Sequence, residues 1–209
     1  MTLYRRWRAL LALMLCLLLG VCTTTLAVRD HTDHAGHAEL PTTTYSAKSI
    51  YQLESTWMTM NAQPVRLGHL QGKVQVLAMV YTTCESACPI IVSLMQRLEA
   101  ALSPELHSEV GFVLVSLDPE RDTPSVLKAY SDKRHLDPAS WSLLSGHPDD
   151  VLELATLLGI AYKRDQRGGF THSNVMTVLN RAGEIVHRQE GLPQDLTAIL
   201  EAMRRAVQP

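Results

Sequence analysis

Two stretches of the chain are almost wholly apolar, and both are short. "VQVLAMVY" (Val74–Tyr81) and "EVGFVLVSL" (Glu109–Leu117) carry no polar alternation. Apolar β-rich runs of this length read as strands buried on both faces, as in a parallel sheet. Between them Ile90, Leu94, Leu98 and Leu102 recur at helical spacing. They follow Pro89, which suits a first helical turn because its missing N–H has no intrahelical partner to lose. Downstream, "DPERDTPSVLKAYSDK" predicts a helix from Pro124, capped by Asp122 or Thr123. "WSLLSG" reads as a short strand, and "HPDDVLELATLLG" as a helix with Pro148 near its start and Gly159 at its end. "IAYKRD" is a short strand or extended piece, and "RGGFTH" a Gly-containing turn leading into His172. "SNVMTVLN" and "EIVHRQE" form a hairpin around "RAG", and "PQDLTAILEAMRRAV" a closing amphipathic helix with Asp195 in its first turn. Upstream, residues 51–73 read as short strands and turns. Alternating strands and helices followed by a hairpin and a helix make an α/β pattern, without internal repeat.

The first 44 residues have a different character. Arg5, Arg6 and Arg8 precede the apolar run "ALLALMLCLLLGVC" (Ala9–Cys22), and "TTTLAV" follows. A basic region, an apolar region and a small-residue exit at "TLA" make an export signal ending near Ala27. The same segment reads alternatively as an uncleaved anchor, since Ala9 to Val28 just reaches the ~20 residues that span a bilayer. A third reading lipidates Cys22, for which Val21 is a poor predecessor. In each case the remainder lies outside the cytoplasm, on the periplasmic side, because the basic end stays inside. Residues 1–27 are thus a signal peptide or membrane anchor. Residues 28–44, containing "RDHTDHAGHAELPTTT", are a linker, and residues 45–209 the globular domain. His31, His34 and His37 in the linker are either a solvated tether or a weak metal-picking tract. With a formal net charge of -2, neither sign dominates and nothing points to nucleic acid. Only two Phe residues are present, so the core draws on aliphatic residues and three Trp.

Of four cysteines, Cys16 and Cys22 belong to the targeting segment, leaving Cys84 and Cys88 in the exported domain. Two thiols in an oxidising compartment form a disulfide unless something holds or reduces them. Four residues apart on a helix they share a face, with Cα atoms about 6 Å apart, within disulfide reach. A helix N-terminus also favours thiolates. The spacing alone leaves three readings open: a structural disulfide, a redox-active pair Cys84–Cys88, or two metal ligands. A bridge closing so small a loop would stabilise little. Two cysteines are too few for a closed zinc site, whereas soft thiolates with an imidazole suit copper. His69, His107, His135, His147, His172 and His187 are the available imidazoles in the domain. His107, His135 and His147 stand in polar loop or helix-end contexts, and His187 lies on a strand where it can face solvent. His172 differs, since it ends a Gly-rich turn just before a buried strand.

A parallel βαβ core, a terminal hairpin and a dithiol at the first helix start describe a thioredoxin-like fold, with a central mixed sheet flanked by helices. In that fold the loop entering the strand after His172 faces the cysteine loop. Three motifs, "TTCESACP" (Thr82–Pro89), "SLDPERDTP" (Ser116–Pro124) and "THSN" (Thr171–Asn174), sharpen the likeness. On these motifs the chain resembles the SCO/SenC proteins, copper chaperones and thiol–disulfide reductases linked to assembly of the copper centre of cytochrome c oxidase. The resemblance covers roughly Ile50 to Val207. It implies copper, as Cu(I) or Cu(II), bound by Cys84, Cys88 and His172. It implies as partner a copper-containing subunit of cytochrome c oxidase, with other copper chaperones or thiol reductases beside it. It also brings Asp118 of "DPERD" close to the metal loop, as a supporting carboxylate or weak ligand; its plainer role is a loop-forming Asp before Pro119. Two functions follow as expectations. One is copper delivery. The other is a thiol–disulfide oxidoreductase in which Cys84 attacks and a partner's copper-ligand cysteines are kept reduced.

Overall fold

The computed structural model describes residues 44–166 and 169–208. The two apolar runs become β3 (Val74–Val80) and β4 (Val110–Ser116), buried at every position and paired in parallel from Val74 opposite Val110 to Val80 opposite Ser116. β5 (Trp141–Ser145) continues the parallel set beside β4. β8 (Val175–Leu179) and β9 (Ile185–Glu190) form the expected hairpin, antiparallel on the other side of β3. β1 (Trp57–Thr59) closes the opposite edge antiparallel to β5, with β2 (Pro64–Val65) antiparallel to β1 outside it, so the sheet runs β2-β1-β5-β4-β3-β8-β9. With its helices this is a mixed, thioredoxin-like α/β fold. Trp57 and Trp141 supply much of the core volume that few Phe residues leave open, Trp141 stacking on Phe112 with ring centroids 5.0 Å apart.

Among the described residues five α-helices flank the sheet: α1 (Ala87–Ala100), α2 (Pro104–His107), α3 (Pro124–Lys133), α4 (Pro148–Leu157) and α5 (Thr197–Val207). In α1 the buried stripe is Cys88, Ile91, Val92, Leu94, Met95 and Leu98. Ile90, expected on that stripe, is 47% exposed. Cys88 therefore heads the row that packs on the sheet, and this row makes it a core residue. Each fully buried aliphatic side chain in it contributes roughly 1.5–3 kcal/mol, which fixes the helix start firmly. Thr123, not Asp122, caps α3, its hydroxyl accepting from the Val126 N–H at 3.4 Å. Asp195 stands before α5, where its Oδ1 accepts from the Thr197 N–H at 2.9 Å.

β6 (Tyr162–Arg164) and β7 (Phe170–His172) form a separate two-stranded antiparallel ribbon. The sequence predicted a turn over the residues that here form β7. The reversal comes earlier, where the Asp165 N–H donates to the Gly169 carbonyl at 2.8 Å and the Gly169 N–H to Asp165 Oδ1 at 2.9 Å. Residues 170–172 are then free to pair, placing Tyr162 opposite His172. The targeting segment, and the linker up to residue 43, lie outside the described residues. Among the described residues no helix is long and apolar enough to cross a membrane.

Candidate dithiol and metal site

β3 ends at Val80 and α1 starts at Ala87, so Cys84 precedes the helix and only Cys88 belongs to it. The expectation that both thiols share a helix face is corrected: the intervening loop folds them together. The Cys84 N–H donates to the Tyr81 carbonyl at 3.2 Å, and the Cys88 N–H donates to Cys84 Sγ at 3.5 Å. Ser86 Oγ lies 3.7 Å from the same sulfur. Both cysteines are free thiols, with Cys84 7% exposed and Cys88 completely buried. Burial alone would push the Cys84 thiol up. Hydrogen bonds from the Cys88 thiol and from the backbone N–H groups of Cys88 and Ser86 outweigh it and bring the thiol down to about 7. Burial pushes the Cys88 thiol well above its ordinary range, and the neighbouring Cys84 adds to this. Two chemically similar residues thus become an acidic outer thiol and a reluctant inner one.

The "DPERDTP" motif holds the cysteine loop from below through Asp122, which is fully buried. Its Oδ2 accepts from the Thr82 N–H at 3.1 Å and from the Ser116 hydroxyl at 2.6 Å, and its Oδ1 accepts from the Thr82 hydroxyl. A buried carboxylate is tolerable only when its oxygens are satisfied in this way. The sequence offered Asp122 merely as a helix cap. A buried carboxylate contacting a residue 40 positions away leaves no local signal.

His172 reaches the dithiol from the β6–β7 ribbon. Its Nε2 stands 3.5 Å from Cys88 Sγ, while Nδ1 lies 3.1 Å from the Ser173 carbonyl. A carbonyl only accepts, so a proton on Nδ1 satisfies this contact, and in the neutral ring Nε2 then turns its lone pair toward the sulfur. Tyr81 meets the imidazole edge-on with centroids 6.0 Å apart. The half-buried ring borders a surface depression lined by Ala161, Tyr162, Lys163, Asp165 and Ser173, while the two sulfurs lie on its buried side.

The other imidazoles are elsewhere. His107 approaches Glu99 at 3.6 Å, and His147 caps α4 by accepting from the Asp149 N–H. His69 lies in a 3-10 turn, and His135 takes a positive φ of 54° just after α3. His187, expected to face solvent, has a buried Nε2 with no hydrogen-bond partner. Asp118 is fully buried and pairs with Arg121 and Arg164. Among the described residues no three His, Cys, Asp or Glu side chains form a ready-made cage. The contacts run pairwise, Cys84 to Cys88 and Cys88 to His172. In chemistry the set of two sulfurs and one imidazole nitrogen with a free lone pair fits a soft transition metal.

A buried dithiol where the thioredoxin-like sheet meets its first core helix, faced by a histidine on the separate β6–β7 ribbon, defines a thioredoxin-like protein equipped with an imidazole beside its thiols. The SCO1/SenC family model matches residues 44–208, and the chain belongs to that family. It is 32% identical over 115 residues to a Stutzerimonas stutzeri protein that carries copper binding in its name. That match covers 55% of this chain and 54% of the other, about half of each. It is 25% identical over 146 residues to the SCO1 protein homolog of Bacillus subtilis, covering 68% of this chain and 75% of that one. The crystal structure of a SCO1/SenC family lipoprotein from Bacillus anthracis superimposes with a TM-score of 0.68 at 25% identity, covering 76% of this chain and 96% of that one.

Proposed function

We propose that this domain binds one copper ion through Cys84, Cys88 and His172 and passes it to the copper-containing subunit of cytochrome c oxidase during assembly of its copper centre. The observation that carries the reading is the Nε2–Sγ approach of 3.5 Å between His172 and Cys88, with Nδ1 already committed to Ser173. Residues 84 positions apart thus bring an imidazole nitrogen and a sulfur side by side. Two thiolates supply softness for Cu(I), and the imidazole nitrogen lets the same site accept Cu(II). Three donors leave a coordination position open, through which an acceptor's ligand can enter before a donor leaves. Membership of the SCO1/SenC family and the copper-binding name of the Stutzerimonas relative support the choice of cargo. The Arg-flanked apolar run supports a location outside the cytoplasm, held at the membrane or released by cleavage, and the lipoprotein relative supports a tethered form. The test is metal analysis of the reduced chain from Val28 onward, with one equivalent of copper added and then dialysed. One retained copper per chain is expected, with a sulfur-to-Cu(II) charge-transfer band. Equal retention by Cys84→Ser would sink the assignment.

The asymmetry of the thiols favours a second reading, a thiol–disulfide oxidoreductase. Cys84 is the outer, acidic thiol and Cys88 the buried one, the division such exchange requires. The Cys84 thiolate attacks a partner disulfide, forming a mixed disulfide and releasing one partner thiolate. Cys88 then gives up its proton and displaces the second, closing Cys84–Cys88. Two electrons and the Cys88 proton pass to the partner, and the proton that Cys84 had already released to solvent completes the second partner thiol. Thiol alkylation with mass spectrometry before and after reductant reads this couple directly. A two-proton mass difference on the peptide holding both residues is expected, and permanently free thiols after aerobic, metal-free purification would exclude it. His172→Ala separates the two readings: oxidase assembly fails if copper transfer matters and survives if only the dithiol does.

A further inference from the structure

The ribbon that carries His172 is not part of the seven-stranded sheet, so something else must hold the imidazole over the thiols. One contact that extends the ribbon's own pairing and three to the rest of the domain do so. The Ser173 N–H donates to the Ala161 carbonyl at 2.8 Å, and the Tyr81 hydroxyl donates to the Phe170 carbonyl at 3.2 Å. Tyr81 and Phe170 also meet edge-to-face with centroids 5.4 Å apart. The fourth contact is ionic. Arg164, opposite Phe170 in the ribbon, reaches Glu120 Oε2 at 2.7 Å and Asp118 Oδ1 at 3.8 Å, its guanidinium lying 5.0 Å over the Phe170 ring.

Asp118 is the unusual partner. It is fully buried, Arg121 occupies its Oδ2, and its Oδ1 accepts no hydrogen bond. A buried carboxylate oxygen without a donor is costly unless a cation faces it, and Arg164 is the cation that does. The same guanidinium sits on the ring whose backbone carbonyl Tyr81 binds, two residues before His172.

We propose that Asp118 and Arg164 form a clasp that positions the β6–β7 ribbon, and with it His172, over the dithiol. Asp118 then acts through Arg164, two steps from the sulfurs, and not as a metal ligand. This deepens the copper reading above and rests on it for its functional consequence, though not for the clasp itself. Loss of Arg164 lets the ribbon swing away while the cysteine loop, held by Asp122, stays in place.

The experiment uses the full-length protein and Arg164→Gln, chosen because the Arg164 side chain is 48% exposed and its loss spares the core. In the reduced, metal-free protein, nuclear Overhauser contacts between the Tyr81 and His172 rings are expected in the parent and lost in Arg164→Gln. With copper added, Cu(II) binding should weaken roughly 10–100-fold, the range for residues that orient a metal ligand. The rate of Cys84 alkylation should not change, and Arg164→Lys should restore most of the Cu(II) affinity. Ring contacts and Cu(II) spectrum both unchanged in Arg164→Gln would overturn the clasp. So would a change equal in Cu(II) binding and in Cys84 alkylation, which would report general damage. If the parent itself retains no copper, the copper reading fails while the ring contacts still decide the clasp.

Discussion

The two halves of the site are built to different standards. The thiol half stands where β3 meets α1, its inner sulfur in the buried stripe of that helix and its loop pinned by the triply engaged carboxylate of Asp122. The imidazole half sits on a two-stranded ribbon outside the main sheet, half-exposed and attached by side-chain contacts and a few hydrogen bonds. A short ribbon without a core of its own is marginally stable alone. On the proposed copper reading this difference would suit a carrier, with one half keeping its donors fixed while the other yields to a competing acceptor.

Breaking the rigid half should have the largest effect. Cys84→Ser or Cys88→Ser each leaves one thiolate and one imidazole. Cu(I) affinity should fall by more than the roughly 10–100-fold typical of losing a residue that merely supports a ligand. Competition with a Cu(I) chelator measures this, and retained affinity in either variant would contradict the three-donor site. Next comes the yielding half. His172→Ala should weaken Cu(II) strongly, abolish the parent's Cu(II) spectrum, and leave the dithiol able to hold Cu(I) in part. An unchanged Cu(II) spectrum would redirect attention to His31, His34 and His37.

The same contrast extends to stability without metal. Asp122→Ala strands the Thr82 N–H and the Thr82 and Ser116 hydroxyls, and should cost about 3 kcal/mol in urea unfolding. Thr171→Ala on the exposed ribbon should stay within about 0.5 kcal/mol. Equal losses would show that the two halves do not differ in rigidity.

The smallest effect is in proton affinity. Alkylation of the reduced protein should modify Cys84 first, its rate rising through a midpoint near pH 7 as the thiolate forms, with Cys88 silent there. The folded Cys84 thiol ionises at about 7 against an ordinary 9.0, so the folded state releases this proton first. Its stabilising contribution is therefore present above pH 9 and fades as pH falls toward 7. A modification rate flat from pH 6 to 9 would remove the assigned cause, the hydrogen bonds that converge on Cys84.

Much of this was legible beforehand because it is written in local pattern. Continuous apolar runs announced β3 and β4, Pro–cap punctuation announced α3 and α4, and the "RAG" turn announced the β8–β9 hairpin. The cysteine pair and His172 were singled out by residue type and motif, and the structure sets them side by side. Less legible was anything in which distant residues decide the outcome. Asp122 looked like a cap because capping is what an Asp before Thr-Pro does locally, and only Thr82 and Ser116 recruit it inward. Phe170–His172 looked like a turn because glycines precede them, and only pairing with Tyr162–Arg164 makes them a strand. Ile90 fitted the helical spacing, but the face that packs on the sheet is one residue further round.

By itself, then, the sequence determined the α/β alternation and the buried central strands, and it pointed to an export segment and to the candidate soft donors, because each depends on residues near one another along the chain. Only the tertiary structure decided which cysteine is acidic, which way the imidazole points and what holds it there. Those properties depend on burial and on hydrogen bonds between segments 40 to 89 positions apart, and such contacts exist only after the sheet has brought those segments together.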